Sequence, residues 1–297
     1  MRGLNAEAEA EAAALHASLA KPPGALGRLE TIGIRLAGIS GTVPPPVPDP
    51  TTVAVFAADH GVWAEGVSPW PQEVTAAMVA TFCGGGAAIN VLARHVGAEV
   101  VVVDVGVKSP LDPAPTLLDR KVRPGTANLL HEPAMTEDEA EQAFEVGASV
   151  AADLVARGTR ALVMGDMGIA NTTTSAALIA AYTGRPPVDV TGRGTGIDDA
   201  TWARKVGVVE RALARAEADG SIGNPLASLG GLEIAALAGF ALGGAAARVP
   251  VLVDGVIALA AALAAAAREP VAPQFWFAGH RSVEPGASVA LEHLGLD

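Results

Sequence analysis

The sequence is poor in cysteine and in basic charge, and each deficit excludes a class of protein. Cys83 is the only cysteine among 297 residues, so the chain has no internal disulfide and no cysteine-rich metal site. The 20 lysine and arginine residues face 32 acidic ones, which gives a net charge of −12, and they form no dense basic run. This charge balance argues against nucleic acid as a partner.

The usual signals for secretion and membrane insertion are also missing. The first residues carry Glu7, Glu9 and Glu11 instead of a basic region followed by an apolar one, which is unlike a secretory signal. We interpret Gly255–Ala267 as the longest charge-free apolar stretch. It is rich in alanine and shorter than the ~20 residues that a bilayer requires. The prediction is a soluble, cytoplasmic protein that binds small molecules and no membrane.

Alanine and short apolar runs are abundant. Half of the residues are hydrophobic, so the chain can bury a large core. Ala-rich helical stretches separate most of the apolar runs, which are found at Thr52–Ala57, Val100–Val105, Ala161–Met164, Val188–Val190, Val251–Val253 and Phe275–Phe277. This alternation predicts an α/β fold of the Rossmann-like, doubly wound type with a mostly parallel, six-stranded sheet.

The N-terminal region has a different pattern. An alanine- and glutamate-rich helix is predicted at residues 4–20, and a second helix ends near Ser40. The proline-rich segment Val43–Pro50 then leads to the first strand. We expect residues 1–45 to form the helical part of a small domain and residues 46–280 to form the α/β domain. Residues 281–297 are expected to return to the small domain.

The segment Met164–Ala176 predicts a strand, a tight loop and a helix start. Its apolar run stops at Gly165, and the helical pattern begins near Thr172. Such a loop presents free backbone N–H groups that suit a phosphate. A second glycine loop, Gly192–Gly196, follows another apolar run. Either loop alone is best interpreted as a plain connection, but the pair favours an anion site built mostly from backbone.

Several side chains near the predicted strand ends have two possible interpretations. Asp59 and His60 resemble a metal pair, but the six histidines show no metal-binding spacing, and a hydrogen-bonded pair at the pocket floor is the preferred interpretation. The loop Gly66–Gln72 is either a rigid connection or an aromatic wall for a flat heterocycle. Lys205 either reaches a phosphate or is a solvated charge on a helix.

Glu284 is the candidate general base. It lies in a short polar segment after the last predicted strand, between Val283 and Pro285. A semi-apolar setting of this kind would raise the pKa of its carboxyl and suit it to proton transfer. No GxSxG sequence marks a serine nucleophile.

Seven motifs occur in the order found in one family. They are Lys21–Glu30 (KPPGALGRLE), Ala58–Val62 (ADHGV), Gly66–Thr75, Gly125–Asn128 with Glu132–Thr136, Met164–Thr174, Gly192–Asp199 and Gly279–Gly286 (GHRSVEPG). Together they resemble the nicotinate-nucleotide–dimethylbenzimidazole phosphoribosyltransferase (CobT) family of cobalamin biosynthesis. The resemblance runs from about Lys21 to the end of the sequence.

The resemblance implies a reaction that uses neither metal nor redox cofactor. The phosphoribosyl group of nicotinate mononucleotide moves to 5,6-dimethylbenzimidazole with inversion, which gives α-ribazole 5′-phosphate and nicotinate. Glu284 matches the family's general base, and residues 46–280 correspond to its phosphoribosyl-binding domain. The implied nucleotide-binding residues are Gly165, Asp166, Met167, Gly168, Asn171, Thr172, Gly192, Arg193, Gly194, Thr195, Gly196 and Lys205. The implied base-binding residues are Asp59, His60, Ser68, Gln72 and Ser282. A homodimer is expected.

Two departures from the family pattern bear on these expectations. Asp166 stands where the family usually has glutamate, which shortens that carboxylate by one methylene. The family's terminal helical segment after the Glu-Pro-Gly motif is also expected to be absent, since the sequence ends at Asp297. Two alternatives stay open: a metal-dependent phosphohydrolase that uses Asp59 and His60, and a non-catalytic nucleotide- or base-binding homologue.

Overall fold

The computed structural model describes residues 1–297 and has a single sheet of six parallel strands. The strands are β1 (Thr51–Ala58), β2 (Glu99–Gly106), β3 (Leu117–Asp119), β4 (Ala161–Met167), β5 (Val251–Val253) and β6 (Trp276–Ala278). Their order is β3-β2-β1-β4-β5-β6. This doubly wound arrangement confirms the predicted fold class.

Helices cover both faces of this sheet. They are α1 (Ala6–Ser18), α2 (Arg28–Ser40), α3 (Val74–Cys83), α4 (Ala88–Val96), α5 (Glu137–Ala156), α6 (Asn171–Thr183), α7 (Pro187–Val190), α8 (Asp199–Ala218), α9 (Pro225–Leu229), α10 (Leu232–Ala246), α11 (Gly255–Arg268) and α12 (Pro285–Leu294). The largest core joins α5, α6, α10 and α11 to one face, and α3 packs on β1 and β2 at the other. Burial on two sides explains why β1 is apolar from Val53 to Ala58 instead of alternating.

The closest packing in the molecule depends on glycine and alanine. Helix α10 lies directly against α5, and a methyl group built on Gly147 would come within 1.7 Å of the carbonyl oxygen of Ala236. A methyl group on Gly239 would approach the carbonyl oxygen of Phe144 to 1.9 Å. The small side chains therefore let two helix backbones touch, which brings α10 and its first turn tight against the sheet.

One of the six predicted strands is wrong. Val188–Val190 forms part of α7, a single helical turn that begins at Pro187. Proline at the first helical position has a φ suited to a helix, and two valines on either side of Asp189 are too short a run to indicate a strand without a partner. The sixth strand is Leu117–Asp119, a three-residue edge strand that pairs only with β2. The second glycine loop therefore follows a helix instead of a strand.

The strand before the first glycine loop is longer than predicted. β4 does not stop at Met164, because Gly165, Asp166 and Met167 remain in register with β1. The loop itself is reduced to Gly168–Ala170, and α6 starts at Asn171 as expected. Only the end of the segment Gly165–Gly168 is thus free of the sheet.

The prediction of the longest charge-free apolar stretch is also wrong. By length and composition alone, the 23 residues Val74–Val96 are apolar enough to cross a membrane, with a mean hydropathy of 1.6. In the fold they form two helices, α3 and α4, with a break at Gly84–Gly86. Each helix has ten residues or fewer, which is about half of what a transmembrane helix requires.

The two chain termini lie near each other on the α/β core. Helices α1 and α2 pack together through Ala8, Ala12 and Ala37. Helix α12 packs on α6, α7 and α11, and its small residues join the main core. Arg28 at the start of α2 forms an exposed ion pair with Asp297.

Candidate active site

The candidate site lies at the carboxyl ends of β1 and β4, the two central strands. The strand order reverses between them, and ligands of open α/β sheets bind at this crevice. The segment after β1 supplies Asp59 and His60, and the end of β4 supplies Asp166. Thr75 of α3 accepts a hydrogen bond from the backbone N–H of Ile169, which fixes the loop after β4.

A buried pair of side chains, one basic and one acidic, forms the floor of the site. His60 Nε2 lies 2.6 Å from Glu233 Oε1, and both side chains have no exposed surface. The other ring nitrogen, Nδ1, is 3.1 Å from the hydroxyl of Thr174 on α6. Gly168 and Gly231 approach the ring so closely that a methyl group on either would contact it. His60 therefore ties together β1, α6, α10 and the loop after β4.

This floor shifts the pKa of its titratable groups. Burial acts against the charged form of His60, but the charge and hydrogen bond of Glu233 outweigh it and raise the pKa of the ring. Burial raises the pKa of Asp59, against a hydrogen bond from the backbone N–H of Lys108. Burial, with the nearby charge of Glu233, raises the pKa of Asp166 to about 7, so this carboxyl is partly protonated at neutral pH.

Lys205 is a buried cation beside the second glycine loop. It lies on α8 with 1% of its surface exposed, and its Nζ donates to Thr172 Oγ1 at 2.8 Å and to the Gly192 carbonyl at 3.1 Å. No carboxylate forms a salt bridge with it, and burial lowers its pKa to about 8. A buried ammonium group with free donor capacity suits an anionic ligand.

Glu284 reaches into the same loop from the start of α12. Its Oε1 accepts a hydrogen bond from the backbone N–H of Gly194 at 2.8 Å. The carboxylate lies against Gly192, where a methyl group would come within 1.9 Å of Oε2. We call the Gly194 N–H, Thr172 Oγ1 and Lys205 Nζ the anion cradle, because the three donors converge on one side of this loop.

The segment after β1 folds over the site as its roof. Trp70 is half exposed, and its Nε1 donates to the hydroxyl of Thr195 at 3.1 Å, which bridges the roof to the second glycine loop. Ser68 accepts from the backbone N–H of Trp70, and Gln72 donates to the His60 carbonyl. The cavity between roof and loops has a volume of about 60 Å³ in this conformation.

The structure brings most of the predicted site residues together. The cavity is lined by Ser68, Gly168, Asn171, Thr172, Arg193, Gly194, Thr195 and Lys205, with Trp70 among the other residues. Asn171 also donates to Asp166. Ser282 accepts from the backbone N–H of Glu284 and so shapes the turn before α12. Gly165 and Met167 lie in the strand, and Gly196 lies at the exposed end of its loop.

The side chains of Asp59 and His60 lie beneath the cavity and do not line it. Asp59 is 2% exposed and His60 is fully buried, and both bond to protein groups beneath the cavity. His60 pairs with Glu233, so the expected pairing with Asp59 is replaced by a partner from α10. No group of three or more histidine, cysteine or acidic side chains is arranged to hold a metal. The phosphohydrolase alternative therefore loses the two residues on which it depended.

Sequence reasoning missed Glu233, the residue that holds the floor together. It is the only charged residue of α10, whose remaining 14 positions are apolar. A single carboxylate in the first turn of such a helix was the available signal, because a buried acid needs a partner. The burial of Lys205 was equally hidden, since a helical lysine is usually solvated.

Comparisons with known proteins show which family this chain resembles. A family model described as a phosphoribosyltransferase (DBI_PRT) matches residues 1–297. A nicotinate-nucleotide–dimethylbenzimidazole phosphoribosyltransferase of Salinispora tropica is 54% identical over 310 residues, which cover 99% of this chain and 85% of the relative. The enzyme of that name from Chloroflexus aggregans is 54% identical over 279 residues, or 94% of this chain and 79% of the relative.

A solved structure gives the same result at the level of the fold. The crystal structure of CobT from Thermus thermophilus superposes with a TM-score of 0.94 at 48% identity, over 98% of this chain and 87% of the other. The resemblance carried by the seven ordered motifs is thereby confirmed. This chain belongs to the nicotinate-nucleotide–dimethylbenzimidazole phosphoribosyltransferase family.

Proposed function

We propose that this chain transfers the phosphoribosyl group of nicotinate mononucleotide to 5,6-dimethylbenzimidazole. The products are α-ribazole 5′-phosphate and nicotinate, which places the reaction in the synthesis of the lower ligand of cobalamin. The family match supports the reaction, and one observation carries its assignment to this site: a carboxylate, Glu284, and a buried cation, Lys205, share a glycine loop at the switch point of the sheet.

The nucleotide's phosphate is assigned to the anion cradle. The backbone N–H of Gly194 and the hydroxyl of Thr172 donate without a net charge, and Lys205 supplies the positive charge. The overall charge of −12 opposes an anionic substrate at long range. Short-range, charge-assisted hydrogen bonds in a buried setting are therefore required for binding.

The chemical step is a single displacement at the anomeric carbon. One azole nitrogen forms a bond to C1′ while the bond from C1′ to nicotinate breaks, and that electron pair stays on the pyridine nitrogen. Glu284 removes the proton from the other azole nitrogen, so the product nucleotide leaves as a neutral azole. Attack from the opposite face converts a β-nucleotide into an α-nucleotide.

The base is assigned to the space beneath the roof. Trp70 offers an aromatic face, and Ser68, Gln72 and Ser282 offer polar groups at its edge. Asp59 and His60 support this region from below. We assign Asp166 to the ribose or to the departing nicotinate, where its partly protonated carboxyl can donate as well as accept.

Turnover of Glu284→Gln tests the assignment of the base. Release of nicotinate should require dimethylbenzimidazole in the wild type and fall by about 10²–10⁴-fold in the variant, the usual contribution of a general base. Binding of nicotinate mononucleotide should not weaken. Wild-type turnover in Glu284→Gln would remove Glu284 from this role, and binding without turnover in the wild type would favour the non-catalytic alternative.

We also propose that the protein is a cytoplasmic homodimer whose small domain combines residues 1–45 with 281–297. The apolar surface of α4 supports the dimer: Val91, Leu92 and Val96 are 53%, 63% and 72% exposed along one helix. A second copy would cover this surface. Leu92→Glu should then lower the mass measured by analytical ultracentrifugation from dimer to monomer, whereas an unchanged mass would exclude this surface.

A further inference from the structure

We infer that Glu284 occupies the anion cradle of the ligand-free protein and that the phosphate of the incoming nucleotide displaces it. The inference rests on the proposed function and adds to it the way in which nucleotide binding controls the base. Glu284 is thus unavailable for proton transfer until the nucleotide has bound.

The contact that occupies the cradle is direct. Glu284 Oε1 accepts the backbone N–H of Gly194 at 2.8 Å, and the same N–H is one of the three donors assigned to the phosphate. The carboxylate fits only because Gly192 has no side chain, since a methyl group there would lie 1.9 Å from Oε2. One acceptor can use this N–H at a time, so carboxylate and phosphate compete for it.

The cradle is only partly satisfied by Glu284. Lys205 is within the electrostatic influence of Glu284 but forms no salt bridge with it, and its Nζ donates only to a hydroxyl and a carbonyl oxygen. A phosphate has three terminal oxygens and up to two negative charges. It can accept from Gly194 and Lys205 together, which one carboxylate at this position does not do.

Displacement has a direct consequence for the reaction. The carboxylate loses its hydrogen bond to Gly194, so Oε1 becomes free to accept the azole proton. Glu284 is therefore released only in the complex that contains the nucleotide.

Titration calorimetry with inorganic phosphate measures this competition without turnover. Removal of the competing carboxylate in Glu284→Ala should tighten phosphate binding by about tenfold, which corresponds to one charge-assisted hydrogen bond of ~1.4 kcal/mol. Glu292→Ala is the matched control, because Glu292 lies on the same helix with an exposed side chain. Its phosphate affinity should stay within about twofold of wild type.

Nuclear magnetic resonance of protein labelled with ¹⁵N-glycine separates direct occupancy from repulsion at a distance. The Gly194 amide resonance should differ between wild type and Glu284→Ala when both are free, and the two should coincide when both are saturated with phosphate. A Gly194 resonance that is identical in both free proteins would overturn the inference.

Failure of this inference differs from failure of the proposed function. If Glu284→Ala binds phosphate no more tightly while the wild type still releases nicotinate in the presence of the base, displacement is wrong and the function stands. If no variant binds phosphate and the wild type shows no turnover with the nucleotide, both are wrong.

Discussion

His60 Nε2 lies 2.6 Å from Glu233 Oε1 in the fully buried floor of the site, and this pair links the ends of β1 and β4 to α10. Breaking a buried pair leaves one group without its partner and costs about 3–5 kcal/mol. The site therefore depends for its shape on two side chains that are fully buried.

The first prediction concerns the pH dependence of stability. The fold raises the pKa of His60 above its ordinary value of 6.5, so the pair stabilises fully below that pH and less as the pH rises through the folded-state pKa. The unfolding free energy, measured by urea denaturation, should decline above pH 6.5. His60→Gln should lower it by about 3–5 kcal/mol and flatten this decline.

His280→Gln is the control for this measurement, because the pair between His280 and Asp254 is about half exposed. Its loss should change stability by less than ~1 kcal/mol. A wild-type profile that is flat above pH 6.5, or equal losses in the two variants, would contradict the assignment of the buried charge.

The second prediction distinguishes the contribution of Asp166 to pH-dependent stability from that of His60. The pKa of Asp166 rises from 3.8 to about 7 in the fold, so the folded protein retains a proton that the unfolded chain has lost. Its share of the stability should fall as the pH increases from 4 to 7. Asp166→Asn should remove the decline in this window and leave the decline above it. An unchanged profile would show that Asp166 has an ordinary pKa.

The third prediction is that Gly192→Ala releases Glu284 from the anion cradle without damaging the fold. A methyl group at this position would meet the carboxylate of Glu284, the mobile end of a side chain, and must push it aside. The Gly194 N–H should then be free, and inorganic phosphate should bind about tenfold more tightly in titration calorimetry. Gly207→Ala on α8 meets nothing within 4 Å and should keep wild-type phosphate affinity. Equal affinities in the two variants would contradict the position of Glu284.

The fourth prediction assigns opposite effects to one substitution at Lys205. Lys205→Met should weaken binding of nicotinate mononucleotide by about 10–100-fold, the loss of a charged hydrogen bond. Burial lowers the pKa of Lys205 to about 8, so its charge opposes folding below that pH, and the variant should gain ~1 kcal/mol, or ~2 °C in Tm. Lys108→Met, at an exposed lysine, should change neither quantity. A variant with lower Tm and normal binding would contradict the assignment of Lys205 to the anion cradle.

The same charge predicts how wild-type binding depends on pH. In the free protein Lys205 loses its proton near pH 8, so affinity for the nucleotide should fall as the pH rises above 8. Calorimetry at pH 7 and pH 9 measures this difference, and Lys205→Met should show little of it.

The fold was predictable because its strands are buried on two sides. Runs such as Val53–Ala57 are apolar throughout and separated by helices, and that pattern has few other solutions. The prediction of the short elements failed because they lack a long buried apolar run. Leu117–Asp119 is a three-residue edge strand with exposed positions, and Val188–Val190 looks like a strand unless Pro187 is taken as a helix start.

The site could be predicted only where neighbouring residues in the sequence determine its geometry. Gly194 lies in a loop and Asn171 at a helix start, both in segments whose composition indicates their geometry, and Glu284 lies in a recognisable motif. The pairing of His60 with Glu233 joins positions 173 residues apart in sequence, so no local pattern reveals it. The missed contacts are therefore tertiary, and those contacts set the pKa values.

The central claim is that one displacement at the anomeric carbon moves the phosphoribosyl group from nicotinate to the azole. The most direct measurement is the configuration of the product nucleotide, determined by proton nuclear magnetic resonance after incubation with nicotinate mononucleotide, dimethylbenzimidazole and a metal chelator. The account predicts an α-nucleotide formed in equal amount to released nicotinate. A β-nucleotide, or nicotinate released together with free ribose 5-phosphate, would contradict it.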